Sequence, residues 1–143
     1  MLFYDSNLRM NTNQQMIKRS LVFPELSYKI CGLLFEVHNS LGRYCNEKQY
    51  SDAFEYLLID NDIKYEREKY IPISFKGEKQ GRNKVDFVIN NCLVIELKSK
   101  RILLKEDYYQ VKRYLIAFNK QLGLLVNFKD KFLKPRRILN PQR

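Results

Sequence analysis

The chain has 143 residues, enough for one domain to bury a core without disulfide or metal staples. With 45% hydrophobic and 29% charged residues it reads as a soluble globular protein, which excludes a disordered chain; no apolar run approaches the ~20 residues that span a bilayer. The net charge of +10 is unevenly placed, since residues 1–99 hold 14 Lys/Arg against 13 Asp/Glu and residues 100–143 hold 12 against 3. A one-sided basic field attracts polyanions and releases their counterions. It points to nucleic acid as partner along the C-terminal third, with a merely solvated basic surface as the plainer alternative.

Residues 1–22 read as a flexible lead, because Asn11-Thr12-Asn13-Gln14-Gln15 is polar and turn-prone, and residues 23–143 read as a single domain. Leu26, Ile30, Leu33, Leu34, Val37 and Leu41 recur at helical spacing, so the spacing predicts an amphipathic helix over 25–41 that stops near Gly42. Asn46 can cap a second helix with Gln49 at its third position, and Tyr50, Ala53, Phe54, Leu57 and Leu58 continue the period until Asp60-Asn61-Asp62. The period then changes to two: residues 64–75 alternate and predict a long strand.

Val85–Ile89 and Cys92–Leu97 are rich in β-branched residues and are joined by Asn90-Asn91, a hairpin signal. Residues 106–119 return to helical spacing, 122–128 predict a short buried strand and 137–139 another. The order helix, helix, three strands, helix, strand implies an α/β fold with a mixed central sheet flanked by helices.

Asp86 interrupts one apolar strand, and Glu96 and Lys98 close the next. A buried carboxylate without a partner is costly, so these charges need a reason. Glu96 and Lys98 share a face because strand side chains alternate. Asp86 joins them only if the hairpin loop around Asn90-Asn91-Cys92 has an odd length or a bulge. If the three converge, two carboxylates can bind Mg²⁺ or Mn²⁺ through oxygen, leaving places for water and a phosphate oxygen, while Lys98 orients the water or offsets developing charge. The simpler alternative is an acid paired with Lys98 at a strand end.

The pattern Asp86 … Glu96-Leu97-Lys98 within an αβββαβ order resembles the PD-(D/E)XK nuclease superfamily, which implies a restriction-endonuclease-like core. The motifs His38-Asn39-Ser40-Leu41-Gly42, Glu47-Lys48-Gln49-Tyr50, Lys84–Phe87, Ile95–Lys98, Gln110 … Tyr114-Leu115 and Gly123–Phe128 are similar to the bacterial GxxExxY proteins, over about residues 24–140. Tyr44 stands where the name motif has its first Gly, and Val85 where the superfamily name has Pro. The resemblance implies Glu47, Asp86 and Glu96 as ligands of Mg²⁺ (or Mn²⁺), and Asp86, Glu96, Lys98 and Gln110 as catalytic residues. Gln110 and Tyr114, four apart, share a helix face.

The resulting expectation is a Mg²⁺-dependent nuclease acting on nucleic acid, foremost DNA, with a homodimer or protein partner compatible with its small size. A catalytically silent nucleic-acid- or protein-binding domain of the same fold is the alternative.

Other chemistries are narrowed by what the chain lacks. His38 is the only histidine, which excludes a multi-histidine metal site and reads as structural; there is no Gly-rich phosphate loop, which argues against an internal ATPase. Three scattered cysteines without C-x-x-C spacing read as buried thiols in a reducing compartment. With no secretory pattern at Met1–Asn13, the expected location is cytoplasmic, away from membranes.

Overall fold

The computed structural model describes residues 23–81 and 83–142, so the reading of 1–22 as a flexible lead lies outside the described residues. Pro24 opens helix α1 (Pro24–Leu41), where a missing N–H costs nothing, and Gly42 ends it with φ +74° while its N–H donates to His38 O at 2.8 Å. Helix α2 (Glu47–Asp60) starts on the expected capping box: Asn46 Oδ1 accepts from Gln49 N and Gln49 Oε1 from Asn46 N, both at 2.9 Å.

Strands β1 (Tyr65–Tyr70), β2 (Lys84–Ile89) and β3 (Leu93–Lys98) follow. Then come helix α3 (Lys105–Phe118), β4 (Leu122–Asn127) and β5 (Arg136–Leu139). The strands lie in the order β1-β2-β3-β4-β5, antiparallel except for the parallel pair β3–β4, which α3 connects as a crossover. This is the mixed, helix-flanked sheet expected from the sequence.

The first strand is shorter than the alternation implies. It ends at Tyr70, because Pro72 cannot donate to a ladder, and Ile73 and Phe75 are exposed instead of lining a buried face. One further bond, Ile71 N to Asn83 O at 2.9 Å, closes the base of the loop that leads to β2.

Alternation sorts the sheet's side chains into two layers. Phe87, Ile95, Leu97, Leu124 and Val126 pack with Ile30 and Leu34 of α1 and Tyr50 and Phe54 of α2; Val88, Val94 and Leu125 pack with Val111, Tyr114 and Leu115 of α3. Cys31, Cys45 and Cys92 are free and only half-buried, against the expectation of buried thiols. No helix among the described residues is long and apolar enough to cross a membrane.

The seat of α3 on the sheet depends on Gly123. A Cβ there would come within 2.7 Å of Val111 Cγ1, on a β-branched side chain that a helix holds in one rotamer. Gly123→Ala is therefore expected to cost about 1–3 kcal/mol by overpacking, read as a lower urea midpoint, with Val111→Ala in the same chain restoring part of the loss. Additive losses in the double variant would show that this contact is not the cause.

Candidate active site

The loop between β2 and β3 is Asn90-Asn91-Cys92, three residues long, with Asn90 (φ +50°) and Asn91 (φ +55°) both left-handed. Asparagine tolerates that region better than most residues. The odd length sets the register Phe87↔Ile95, Val88↔Val94 and Ile89↔Leu93, and continuing it by one residue brings Asp86 opposite Glu96. The parity requirement read from the sequence is met.

The backbone ladder stops at Phe87↔Ile95, and side chains take over beyond it. Glu96 Oε1 accepts from Asp86 N at 2.9 Å, and Asp86 Oδ2 accepts from Leu97 N at 2.7 Å. Each carboxylate thus uses one oxygen to replace a strand-to-strand bond and keeps the other for different partners. On the far side of β2, the β1 register also skips Asp86, where the facing Glu68 is left-handed with φ +52°.

Lys98 Nζ stands 3.8 Å from Glu96 Oε2 and donates to Gln110 Oε1 on α3 at 2.9 Å. The Gln110 side chain also lies beside the Tyr114 hydroxyl. Burial, then the nearby Glu96 charge, push that phenol up to about 12, so it stays protonated. The lysine and Gln110 inferred from resemblance are therefore in direct contact.

Beyond Lys98 the chain is pinned: Asn127 Oδ1 accepts from Lys100 N at 3.0 Å and Asn127 Nδ2 donates to Lys100 O at 2.8 Å. Lys100 itself pairs at 3.0 Å with the buried Asp107, which also accepts from Leu104 N at 2.7 Å and so caps α3. The sequence alone singles out neither Asn127 nor Asp107. A polar residue ending an apolar strand is the only local signal for the first, and an acid in a helix's first turn for the second.

Asp86 opens onto a cleft of about 500 Å³ that is also lined by Glu47, Lys48, Asp52, Arg67 and Glu68. Glu47 is the first residue of α2, and its charge acts on both Asp86 and Glu96. Arg67 is engaged by Asp52 at 2.7 Å and Glu55 at 3.0 Å, so its charge is largely committed to that pair of acids.

Burial is the main cause that lifts both central carboxyls. For Asp86 the Leu97 N–H bond opposes it, Glu47 adds to it, Lys98 opposes it and Glu68 adds again, leaving the group pushed up to about 6. Glu96 is more deeply buried and is lifted further, with Asp86 as the next cause, against the Asp86 N–H bond and Lys98. The two titrate together, and without a further cation the pair retains a proton near neutrality.

That crowding suits a divalent ion. Among the described residues no three His, Cys, Asp or Glu side chains form a ready-made cage. Mg²⁺, however, is usually held by one or two carboxylates with substrate phosphate and water filling the rest, which is the donor set Asp86 and Glu96 offer.

The sequence model of the PD-(D/E)XK nuclease superfamily matches residues 24–138. No curated protein matches the sequence. Among solved structures, one described as "Crystal structure of SSO0001" aligns at 25% identity and a TM-score of 0.49, over 64% of this chain and 48% of that one. The matched part is thus about half the length of that protein.

Proposed function

The chain belongs to the PD-(D/E)XK nuclease superfamily, whose members are generally nucleases using divalent metals, and we propose that it hydrolyses phosphodiester bonds, foremost in DNA, with Mg²⁺ or Mn²⁺. The observation that carries this reading is the pairing of Asp86 and Glu96 across the end of the β2–β3 ladder, with Lys98 3.8 Å from Glu96. Affiliation with the GxxExxY proteins is part of the proposal, as is a single domain beginning at residue 23 with a cytoplasmic setting.

In this reading Asp86 and Glu96 hold the cation, with Glu47 from the cleft wall joining when substrate is present. When bound, the cation supplies Lewis-acid stabilisation of phosphate charge and makes water a better nucleophile. Lys98 points its ammonium at the charge that develops on the phosphate, and Gln110 fixes that ammonium by accepting one of its three protons. Tyr114 steadies Gln110. The basic residues of α3 and of 129–137 neutralise the flanking phosphates, so DNA affinity falls as salt rises.

Metal binding must displace the proton that the acid pair shares. Mn²⁺ affinity is therefore expected to rise with pH from 5 towards neutrality, with protons released to the buffer, as titration calorimetry in two buffers of different ionisation heat will read. Asp86→Ala should lose this binding; equal Mn²⁺ affinity in wild type and Asp86→Ala would count against the reading.

The basic excess of residues 100–143, 12 Lys/Arg against 3 Asp/Glu, serves equally one second reading, a nucleic-acid- or protein-binding domain of the same fold that does not cut. Salt-sensitive DNA binding with no products in Mg²⁺ or Mn²⁺ would select it.

A further inference from the structure

We infer that the loops 42–46 and 128–135 form a base-stacking platform that holds single-stranded DNA beside the candidate active site. The inference rests on the nuclease reading only for the identity of the neighbouring site. Two aromatic side chains are displayed on these loops with most of their surface open: Tyr44 is 81% exposed and Phe132 72%. Neither contributes to the core.

Both rings are accompanied by cations. The Arg43 guanidinium carbon lies 5.5 Å from the Tyr44 ring centre and Lys129 Nζ 5.8 Å from it, while Lys131 Nζ lies 5.5 Å from the centre of Phe132. Asp130 is the sole acid of the second loop, and its Oδ1 is 3.5 Å from Asn127 Nδ2.

The display is held in place from beneath. The Tyr50 hydroxyl donates to Gly42 O at 2.6 Å and accepts from Cys45 N at 3.2 Å, so a buried side chain fixes both ends of the first loop. Phe128 and Leu133 are buried and anchor the second, and His38 Nε2 donates to Asp130 O at 2.9 Å. Arg43 Nε donates to Lys129 O at 2.9 Å and ties the loops together.

The platform also adjoins the site through the chain. Tyr44 precedes Glu47 by three residues, at most about 11 Å of extended backbone. Ser99, next to Lys98, donates to Cys45 O at 3.2 Å, and Phe128 N donates to Lys98 O at 2.8 Å.

Rigid, exposed rings alternating with cations suit a strand whose bases are free: rings stack on base faces whatever the sequence, and cations take the phosphates. A blunt duplex keeps its base faces inside the stack and can engage only the cations. The chemistry therefore selects a single-stranded tail or flap running from the scissile phosphate across Tyr44 towards Phe132.

The test measures anisotropy of a fluorescein-labelled oligo-dT of about 12 nucleotides, within the usual site size, against a blunt duplex, both in EDTA so that nothing is cut. Tyr44→Ala and Phe132→Ala are each expected to weaken oligo-dT binding about tenfold with duplex binding unchanged, and Tyr44→Phe to bind like wild type because the ring remains. Wild-type oligo-dT affinity in both alanine variants, or equal losses on both ligands, would overturn the platform. Cleavage of a dT-tailed duplex in Mn²⁺ at saturating DNA is read separately. No cleavage by wild type of the tailed duplex, a blunt duplex or single-stranded DNA, with the binding losses present, sinks the nuclease reading and leaves the platform standing. Cleavage with no binding losses does the reverse.

Discussion

Asp86→Asn is expected to abolish metal-dependent cleavage while making the metal-free protein more stable than wild type. Asparagine keeps an oxygen to accept the Leu97 N–H, which Asp86 Oδ2 now accepts at 2.7 Å, so the link from β2 to β3 survives. What disappears is a buried negative charge next to Glu96.

The pH dependence follows from the direction of the shifts. Burial and mutual repulsion raise both carboxyls in the folded state. From the ordinary carboxylate value near ~4 upward, the native state binds more protons than the unfolded chain, so stability falls as pH rises towards neutrality. Asn at 86 removes its share of that fall. The gain should be near zero at about pH 4 and reach about 1 kcal/mol at neutral pH, seen as a higher urea midpoint in EDTA. Cleavage should drop by about 10³-fold or more, about 4 kcal/mol of transition-state stabilisation. A variant that is less stable than wild type at neutral pH would show that Asp86 is structural and is satisfied without metal.

Lys98→Ala is expected to separate turnover from metal binding. Its ammonium lies 3.8 Å from Glu96 and is held by Gln110 at 2.9 Å, where it can meet charge on a phosphate but cannot itself hold a cation. Removing it should lower kcat by about 10²–10³-fold, the loss typical of one positioned charge donor. Mn²⁺ affinity should stay the same or tighten, because a competing positive charge has gone. Gln110→Ala, which frees the ammonium to rotate, should lose less, about tenfold, with KM little changed. If Lys98→Ala raised KM and left kcat intact, the lysine would be a binding contact for DNA instead.

Much of this site is legible in the amino-acid sequence. Periodicity places both helices ahead of the sheet, and the Asn46/Gln49 box marks where α2 begins. Side-chain parity demands an odd hairpin loop, and Asn90-Asn91-Cys92 supplies it because two asparagines accept the left-handed turn.

Parity, however, says only which face a side chain takes. It does not say that Asp86 and Glu96 replace ladder bonds with carboxylate bonds, since that depends on where two strands stop pairing, a tertiary outcome. The same holds for Glu68, which reads as an ordinary outward-facing strand residue yet adopts a left-handed backbone opposite Asp86. In β1 the alternation carries on past the strand itself, and Pro72 is the signal that ends it at Tyr70. The basic third of the chain is real as composition, but one of its lysines, Lys100, is committed to Asp107, the acid that caps α3. Phe132 carries no sequence signal, and Tyr44 only its departure from the resembled motif, because exposure is what distinguishes both from the core aromatics.

The central claim is that Asp86, Glu96 and Lys98 form one metal-dependent hydrolytic site. Its most direct test is Mn²⁺-dependent cleavage of a panel of linear duplex, tailed duplex and single-stranded DNA by wild type, Asp86→Asn and Lys98→Ala side by side. Wild type should cut at least one member only when divalent metal is present, and both variants should lose that cleavage while remaining folded. Cleavage of equal rate in wild type and both variants would contradict the assignment.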